Sequence, residues 1–261
     1  MGDDALYHLG FGRSDLADGT SIALLSGDPD RSELIAEDHL SGARVLARNR
    51  GLDAFAATLP GGAPVVCATS GMGAPSASIV VNELVQAGIT TVIRIGTSGS
   101  IQHQVEVGDL VIANAALTNQ GAADDIAPAN YPAAADPFLT VALCDAATRL
   151  GARHHVGTIA STDTFFEGQE RSESSANSYL LRQHRGMTDE YRALGVLSFE
   201  MEAGTIFKMG GVYGFSAGCV CAIVAARTAS EHVHVHAKDD AVRRAIETAI
   251  TAATDWARRT T

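Results

Sequence analysis

SASIVVNELVQAGITTVIRIGTSGSI, residues Ser76 to Ile101, sets a segment of helical period directly against a run of strand length. Ser76 to Ala87 reads as a helix, Thr91 to Ile95 as a strand, and small residues follow from Gly96 onward. The same exchange of periods recurs along the chain. Strands are expected at Ser21 to Leu25, Pro64 to Ala68, Asp109 to Ala113, Val156 to Ser161, Val196 to Phe199 and Gly218 to Val224. Helices are expected at Pro137 to Leu150 and Glu202 to Met209. The last helix is the clearest: Val242, Ala245, Ile246, Ala249, Ile250, Ala253 and Trp256 recur three and four apart, leaving Arg243, Arg244, Glu247 and Arg258 to water. Alternation of this kind predicts an α/β domain with a largely parallel or mixed central sheet. Ala122 to Asp136, polar and irregular, is expected to be a long loop inside that domain.

Composition narrows the class. With 261 residues the chain can bury a substantial core. Its net charge of -11 argues against a nucleic-acid partner, because a phosphate backbone requires a basic face. Lys208 and Lys238 are the only lysines, so arginine carries the positive charge. Cys67, Cys144, Cys219 and Cys221 sit among apolar neighbours, which suits small buried side chains better than disulfides or zinc ligands and implies a cytoplasmic protein. MGDDALYHLG lacks the basic and apolar regions of a leader, and the longest apolar run, around Val220 to Ala226, is well short of the ~18 residues of a membrane helix. No membrane partner is expected.

Several strands run straight into glycine or small residues, the kind of turn that places ligands at strand ends. In SGDPDR, Ser26 to Arg31, Gly27 turns, Asp28 and Pro29 open a helix, and Arg31 stands in its first turn. Helix-start N–H groups with an arginine suit a phosphate; a capped helix with a surface arginine is the plain alternative. In RIGTSGSI, Arg94 interrupts an apolar strand, and Thr97, Ser98 and Gly99 supply hydroxyls and open backbone donors. Neither turn fits a dinucleotide fingerprint or a Walker loop: Ser76 takes the third glycine position after Gly71 and Gly73, and neither lysine follows a glycine. Free phosphate is the expected anion.

In FEMEAGTIF, Phe199 to Phe207, Glu200 and Glu202 flank Met201. Two carboxylates one residue apart on extended backbone point the same way, to grip vicinal sugar hydroxyls, to hold an arginine, or simply to favour a helix start. In TFFEGQER, Phe165, Gln169 and Arg171 offer an apolar wall, an amide and a guanidinium around Gly168, a set that could read a planar ring with polar edges. His232, His234 and His236 alternate as HVHVH, which reads as a surface loop ahead of a metal site.

These stretches, with TSGMGAPSASIVVNEL (Thr69 to Leu84), RIGTSGSIQ and SFEME, resemble the hexameric nucleoside phosphorylase family, and TDTFFEGQER resembles its uridine-cleaving branch. The resemblance runs from about His8 to the final helix. It implies a three-layer α/β/α single domain over residues 1–261 with a mixed central sheet. It also implies phosphate-dependent cleavage of uridine to uracil and ribose 1-phosphate. By the same resemblance, Gly27, Arg31, Arg94 and Thr97 would hold phosphate, with Arg50 reaching in from a neighbouring subunit. Met201 and Glu202, with Glu200 beside them, would hold ribose, joined by His8 from the neighbour. Phe165 would stack on the base, Gln169 and Arg171 would bond its edge, and Arg227 would back that pocket.

The family's purine members carry an aspartate where this chain has RTAS, Arg227 to Ser230, which weighs against a purine substrate. Some members bind a monovalent cation through a glutamate after the partner arginine; Gly51 stands there, although Ser76 remains, so no cofactor is expected beyond phosphate as co-substrate. The resemblance further implies a homo-oligomer, a dimer at minimum and a hexamer in the family pattern. A phosphorylase of another nucleoside on the same scaffold and a non-catalytic nucleoside-binding protein are the competing expectations.

Overall fold

The computed structural model describes residues 4–228 and 235–260. The chain runs through β1 (Ile22–Ser26), α1 (Pro29–Asp38), β2 (Ser41–Ala47), β3 (Ala54–Thr58), β4 (Pro64–Thr69), α2 (Ala74–Gln86), β5 (Thr91–Ser100) and β6 (Leu110–Asn119). It continues through α3 (Gly121–Ile126), α4 (Pro137–Arg149), β7 (His154–Thr162), α5 (Met187–Ala193), β8 (Ser198–Glu200), α6 (Ala203–Tyr213), β9 (Ser216–Ala226) and α7 (Val235–Thr260).

The strands form one mixed sheet in the order β2-β3-β4-β1-β5-β8-β7-β6-β9, and β9 also pairs with β5. Strand β1 lies parallel to both β4 and β5, whereas β2–β3, β3–β4 and β6–β9 are antiparallel. Because alternate residues of a strand face opposite sides, the sheet sorts its side chains into two cores. Ile22 and Leu24 of β1 join Ile35 of α1, Leu139 of α4 and Ile246 of α7. Ala23 and Leu25 join Val80 of α2 and Ile206 of α6 on the other face. Helices thus cover both faces, giving the three-layer arrangement.

All seven expected strands form, but β5 and β6 are about twice the expected length. Thr97, Ser98 and Gly99 therefore belong to β5, with an irregularity of pairing between Ser98 and Gly99, and do not make the free turn expected of them. The expected loop at Ala122 to Asp136 opens inside a short helix, α3. Strand β2 went unseen because, as a mostly exposed sheet edge, its SGARVLA shows no regular apolar–polar alternation, and β3 because three of its five residues are alanine. His232 and His234 lie outside the described residues, and His236 falls in the first turn of α7 and not outside any helix. The four cysteines are free thiols, three of them buried; burial pushes the Cys67 thiol up from its ordinary value. Among the described residues no helix is long and apolar enough to cross a membrane.

Two local features aim the chain at one end of the sheet. Asp28 caps α1 by accepting from Asp30 N at 3.1 Å, and Pro29 follows at the first helical position. Gly204 lets α6 press close to β6 and β7, since a Cβ there would stand 2.6 Å from Thr118 Cγ2 and 3.1 Å from Ser161 Cβ.

Candidate active site

A cavity of about 530 Å³ opens where β1, β5 and β9 end and α6 begins. Gly27, Arg31, Arg94, Thr97, Phe165, Gln169, Arg171, Glu200, Met201 and Glu202 all line it. Segments as far apart in the chain as Gly27 and Glu202 therefore converge on one hollow.

Arg94 is the centre of one end. Its side chain leaves β5 on the face that carries α6, and Gly96, two residues on, leaves it room: a Cβ on Gly96 would meet Arg94 Nη2 at 3.0 Å and Cys221 Sγ at 2.8 Å. Nε donates to Glu200 Oε2 at 3.0 Å, and Nη2 is paired with Glu202 Oε2. Burial works against the charge of Arg94, but Glu202 and then Glu200 outweigh it and hold its pKa above the ordinary value. Two carboxylates now share one cation. Burial, with Glu200 adding, raises the Glu202 carboxyl above its ordinary value even though Arg94 pulls the other way.

The Glu200 carboxylate also accepts from Glu202 N and Ala203 N, both at 2.9 Å, and from Ser161 Oγ. It thereby occupies the positive end of α6 as well as holding Arg94. Glu202 Oε1 accepts from Gly73 N at 2.5 Å, which ties α6 to the turn before α2. Of the roles left open for this carboxylate pair, two are seen: both carboxylates hold Arg94, and Glu200 also serves the start of α6.

Arg31 is buried beside this group, donating from Nη1 to Ile95 O at 3.3 Å, with Asp28 Oδ2 4.0 Å from Nη2. Burial holds its guanidinium below the ordinary value, Asp28 opposes that shift and Arg94 adds to it. Arg94 Nη1 and Ser98 Oγ are buried and find no hydrogen-bond partner among the described residues. A buried donor left unmet costs about 1–3 kcal/mol. An anion between the two arginines would satisfy Arg94 Nη1 and relieve the repulsion that acts on Arg31.

At the other end, Gln169 and Arg171 are 2% and 3% exposed. Gln169 Nε2 donates to Thr162 Oγ1 at 3.3 Å, and Arg171 Nε to Gln169 Oε1 at 3.4 Å. The loop differs from a glycine hinge. Gly168 sits in a 3-10 turn, Glu167 to Gln169, where a Cβ would meet Thr164 Oγ1 at 2.9 Å, so its role is close packing; the left-handed residue is Glu170, at φ 52°. Arg227 braces the loop from behind, Nη1 to Gln169 O at 2.9 Å and Nη2 to Glu170 O at 3.2 Å, and does not line the cavity. Phe165 is not an open platform: Arg171 Cζ stacks 4.0 Å from its ring centre, and Phe166 meets it edge-on.

Two expected residues stand elsewhere. His8 Nδ1 lies 2.6 Å from Glu83 Oε1, and Glu83 also accepts from Leu9 N at 2.8 Å. Arg50, at φ 57°, places its guanidinium 5.9 Å from the Tyr7 ring. Asn49 Nδ2 donates to Tyr7 O and His8 O, so His8 and Arg50 share one patch of surface, and neither lines the cavity of its own chain. Among the described residues no group of three His, Cys, Asp or Glu is arranged to hold a metal.

Residues 21–256 match the Phosphorylase superfamily. The chain is 41% identical over 231 residues to a uridine phosphorylase of Salmonella typhimurium, covering 88% of this chain and 90% of the relative. The chain belongs to the phosphorylase superfamily. It is also 39% identical over 225 residues to a uridine phosphorylase of Thermococcus kodakarensis (86% and 79% covered), and 33% identical over 202 residues to a guanosine phosphorylase of Halorubrum lacusprofundi (77% of each).

For a superfamily member, the sequence reasoning missed part of the wall. Met72, Phe199, Val224, Ala225 and Lys238 line the cavity as well. Phe199 and Val224 read as ordinary strand core. Lys238 carried a signal that went unused, since it is one of two lysines in the chain.

Arg94→Met should leave Glu200 and Glu202 buried without their cation, at a cost of about 3–5 kcal/mol in urea denaturation. Glu202, already held above its ordinary value by burial, would lose the cation that opposes that shift, so stability should fall as pH rises through the carboxylate range and the deficit should shrink in acid. A pH-independent loss below about 1 kcal/mol would contradict the role given to Arg94.

Proposed function

We propose that the protein is a uridine phosphorylase: an oxygen of inorganic phosphate bonds to C1′ of the ribose while the C1′–N1 bond breaks, and its electron pair leaves with uracil. The products are ribose 1-phosphate and uracil, the departing uracil anion taking up, through solvent, the proton that the attacking hydrogen phosphate gives up. The observation that carries this reading is the cavity's two unlike ends, an incompletely satisfied arginine pair at one and a buried amide–guanidinium pair at the other.

Arg31, Arg94 and Thr97, with the Gly27 turn, would hold phosphate in line with the sugar, so that binding supplies the positioning the attack requires. Met201 and Glu202 would meet the ribose, and Glu200 would act through Arg94 and the start of α6. As the glycosidic bond loosens, negative charge collects on the pyrimidine, and Gln169 and Arg171 are the donors aimed there. A preorganised donor of this kind contributes about 2.7–4 kcal/mol to the transition state. Phe165 would reach the base by the ring surface that Arg171 leaves free. The proposed chemistry calls on no metal or organic cofactor. Ser76, which in a shared cation site would offer its hydroxyl, donates it to Ser70 O at 2.6 Å.

The relative named guanosine phosphorylase makes a purine substrate the nearest rival. Against it stands the chemistry after β9: Arg227 turns its donors onto the loop carbonyls, and RTAS offers no acid to protonate a purine ring. A panel of nucleosides tests this. Uracil should be released from uridine only when phosphate is present, with inosine, guanosine and adenosine inert. Arg171→Ala should cut uridine turnover about 100-fold or more with phosphate KM little changed, and Arg31→Ala should raise phosphate KM. Phosphate-independent release, or purine cleavage at a matching rate, would overturn the reading.

The assembly proposed is a homo-oligomer in which His8 and Arg50 of one chain complete the cavity of another, a twofold pair at least, located in the cytoplasm. Their shared surface patch, outside their own cavity, supports the exchange between chains. Arg50→Ala and Arg171→Ala, each nearly inactive alone, should regain up to about a quarter of wild-type activity when refolded together, because a mixed pair holds one intact site. Absence of any recovery would contradict exchange between subunits.

A further inference from the structure

Gln120 lies just outside the cavity wall and has no part in the roles above. It is 1% exposed and stands between β6 and α3. Its Nε2 donates to Met201 O at 2.6 Å, and its Oε1 accepts from Thr205 N at 3.1 Å and Thr205 Oγ1 at 2.9 Å. Both ends of the amide are therefore committed, one to the cavity wall and the other to α6.

The next residue reaches the base loop. Gly121 N donates to Asp163 Oδ2 at 2.8 Å. Asp163 stands between Thr162, whose Oγ1 accepts from Gln169 Nε2, and Thr164, whose Oγ1 accepts from Gly168 N at 2.7 Å. Two consecutive residues thus hold the sugar-side wall and the start of the base loop.

This junction is itself anchored. Lys208, one turn beyond Thr205 on α6, is fully buried, and its Nζ donates to Ala127 O at 3.0 Å, Pro128 O at 3.1 Å, Asp124 Oδ1 at 3.2 Å and Ala123 O at 3.3 Å. An ammonium taken out of water requires such partners. Four oxygens from α3 and the turn after it meet that need and make the segment a fixed extension of α6.

We infer that Gln120 is a positioning residue that sets Met201 against the sugar and couples that wall to the Gln169–Arg171 loop, with Lys208 fixing the segment on which it stands. The inference rests on the uridine phosphorylase reading. None of these bonds reaches Arg31 or Arg94, so the junction governs the nucleoside half of the site and leaves the phosphate half alone.

Gln120→Glu separates this role from a merely structural one. The carboxylate keeps an acceptor for Thr205, and hence the tie to α6, but it loses the donor to Met201 O and sets oxygen against oxygen. The expected result is a folded protein whose uridine KM rises about tenfold or more while phosphate KM stays within about twofold. Asp163→Ala, at an exposed position that need not disturb folding, should shift uridine KM in the same direction with phosphate KM again unmoved. Unchanged uridine KM in both variants, or uridine and phosphate KM rising together, would overturn the inference. A wild-type protein that released no uracil from uridine would instead sink the functional reading, and the inference with it.

Discussion

A guanidinium inside a sheet must find negative partners, and Arg94 takes two. That requirement brings β8 and the start of α6 to the end of β5, because Glu200 and Glu202 are the carboxylates that reach it. Glu200 then serves α6 as well, and Glu202 reaches the turn before α2, so one buried cluster fixes the relative place of four elements. The cluster is stable without being complete. Arg94 Nη1 is still unmet and Glu202 is held above its ordinary pKa by burial and by Glu200. An anion would satisfy that donor, and a hydroxyl group would give the Glu202 carboxyl a further partner.

The same economy extends to the base end. Gln169 is as buried as a core residue, yet its amide hydrogen-bonds at 3.3–3.4 Å, near the long limit. Bonds of that length are readily exchanged for shorter ones to a ligand. Arg227, Gly168 and the Gln120–Gly121 junction supply the rigidity that these long bonds do not. The Gln169 amide can therefore exchange partners while the backbone that carries it is fixed.

Much of this was legible in the sequence because the site's residues break local rules. Arg94 interrupts an apolar strand, Glu200 and Glu202 crowd a strand end, and Gly27 and Gly168 sit where backbones must turn or touch. Each violation asks for a partner, and the fold supplies it. What stayed hidden had no local signature. Phe199 and Val224 look like core because they are strand residues that happen to end at a cavity. Strand β2 is an exposed sheet edge with no alternation to show, α3 is too short and acidic to show a period, and the length of β5 is set by pairing with β9 through small residues that read as a turn. Gln120 is an ordinary glutamine until Met201 O and the N–H and hydroxyl of Thr205 close around its amide.

The most direct test of the account is a crystal structure of the protein with phosphate and a uridine analogue that cannot be cleaved. Phosphate oxygens should lie within hydrogen-bond distance of Arg94 Nη1 and of Arg31, the sugar against Met201 and Glu202, and the pyrimidine edge on Gln169 and Arg171. A pyrimidine bound away from Gln169 and Arg171, or a phosphate that leaves Arg94 Nη1 unmet, would contradict it.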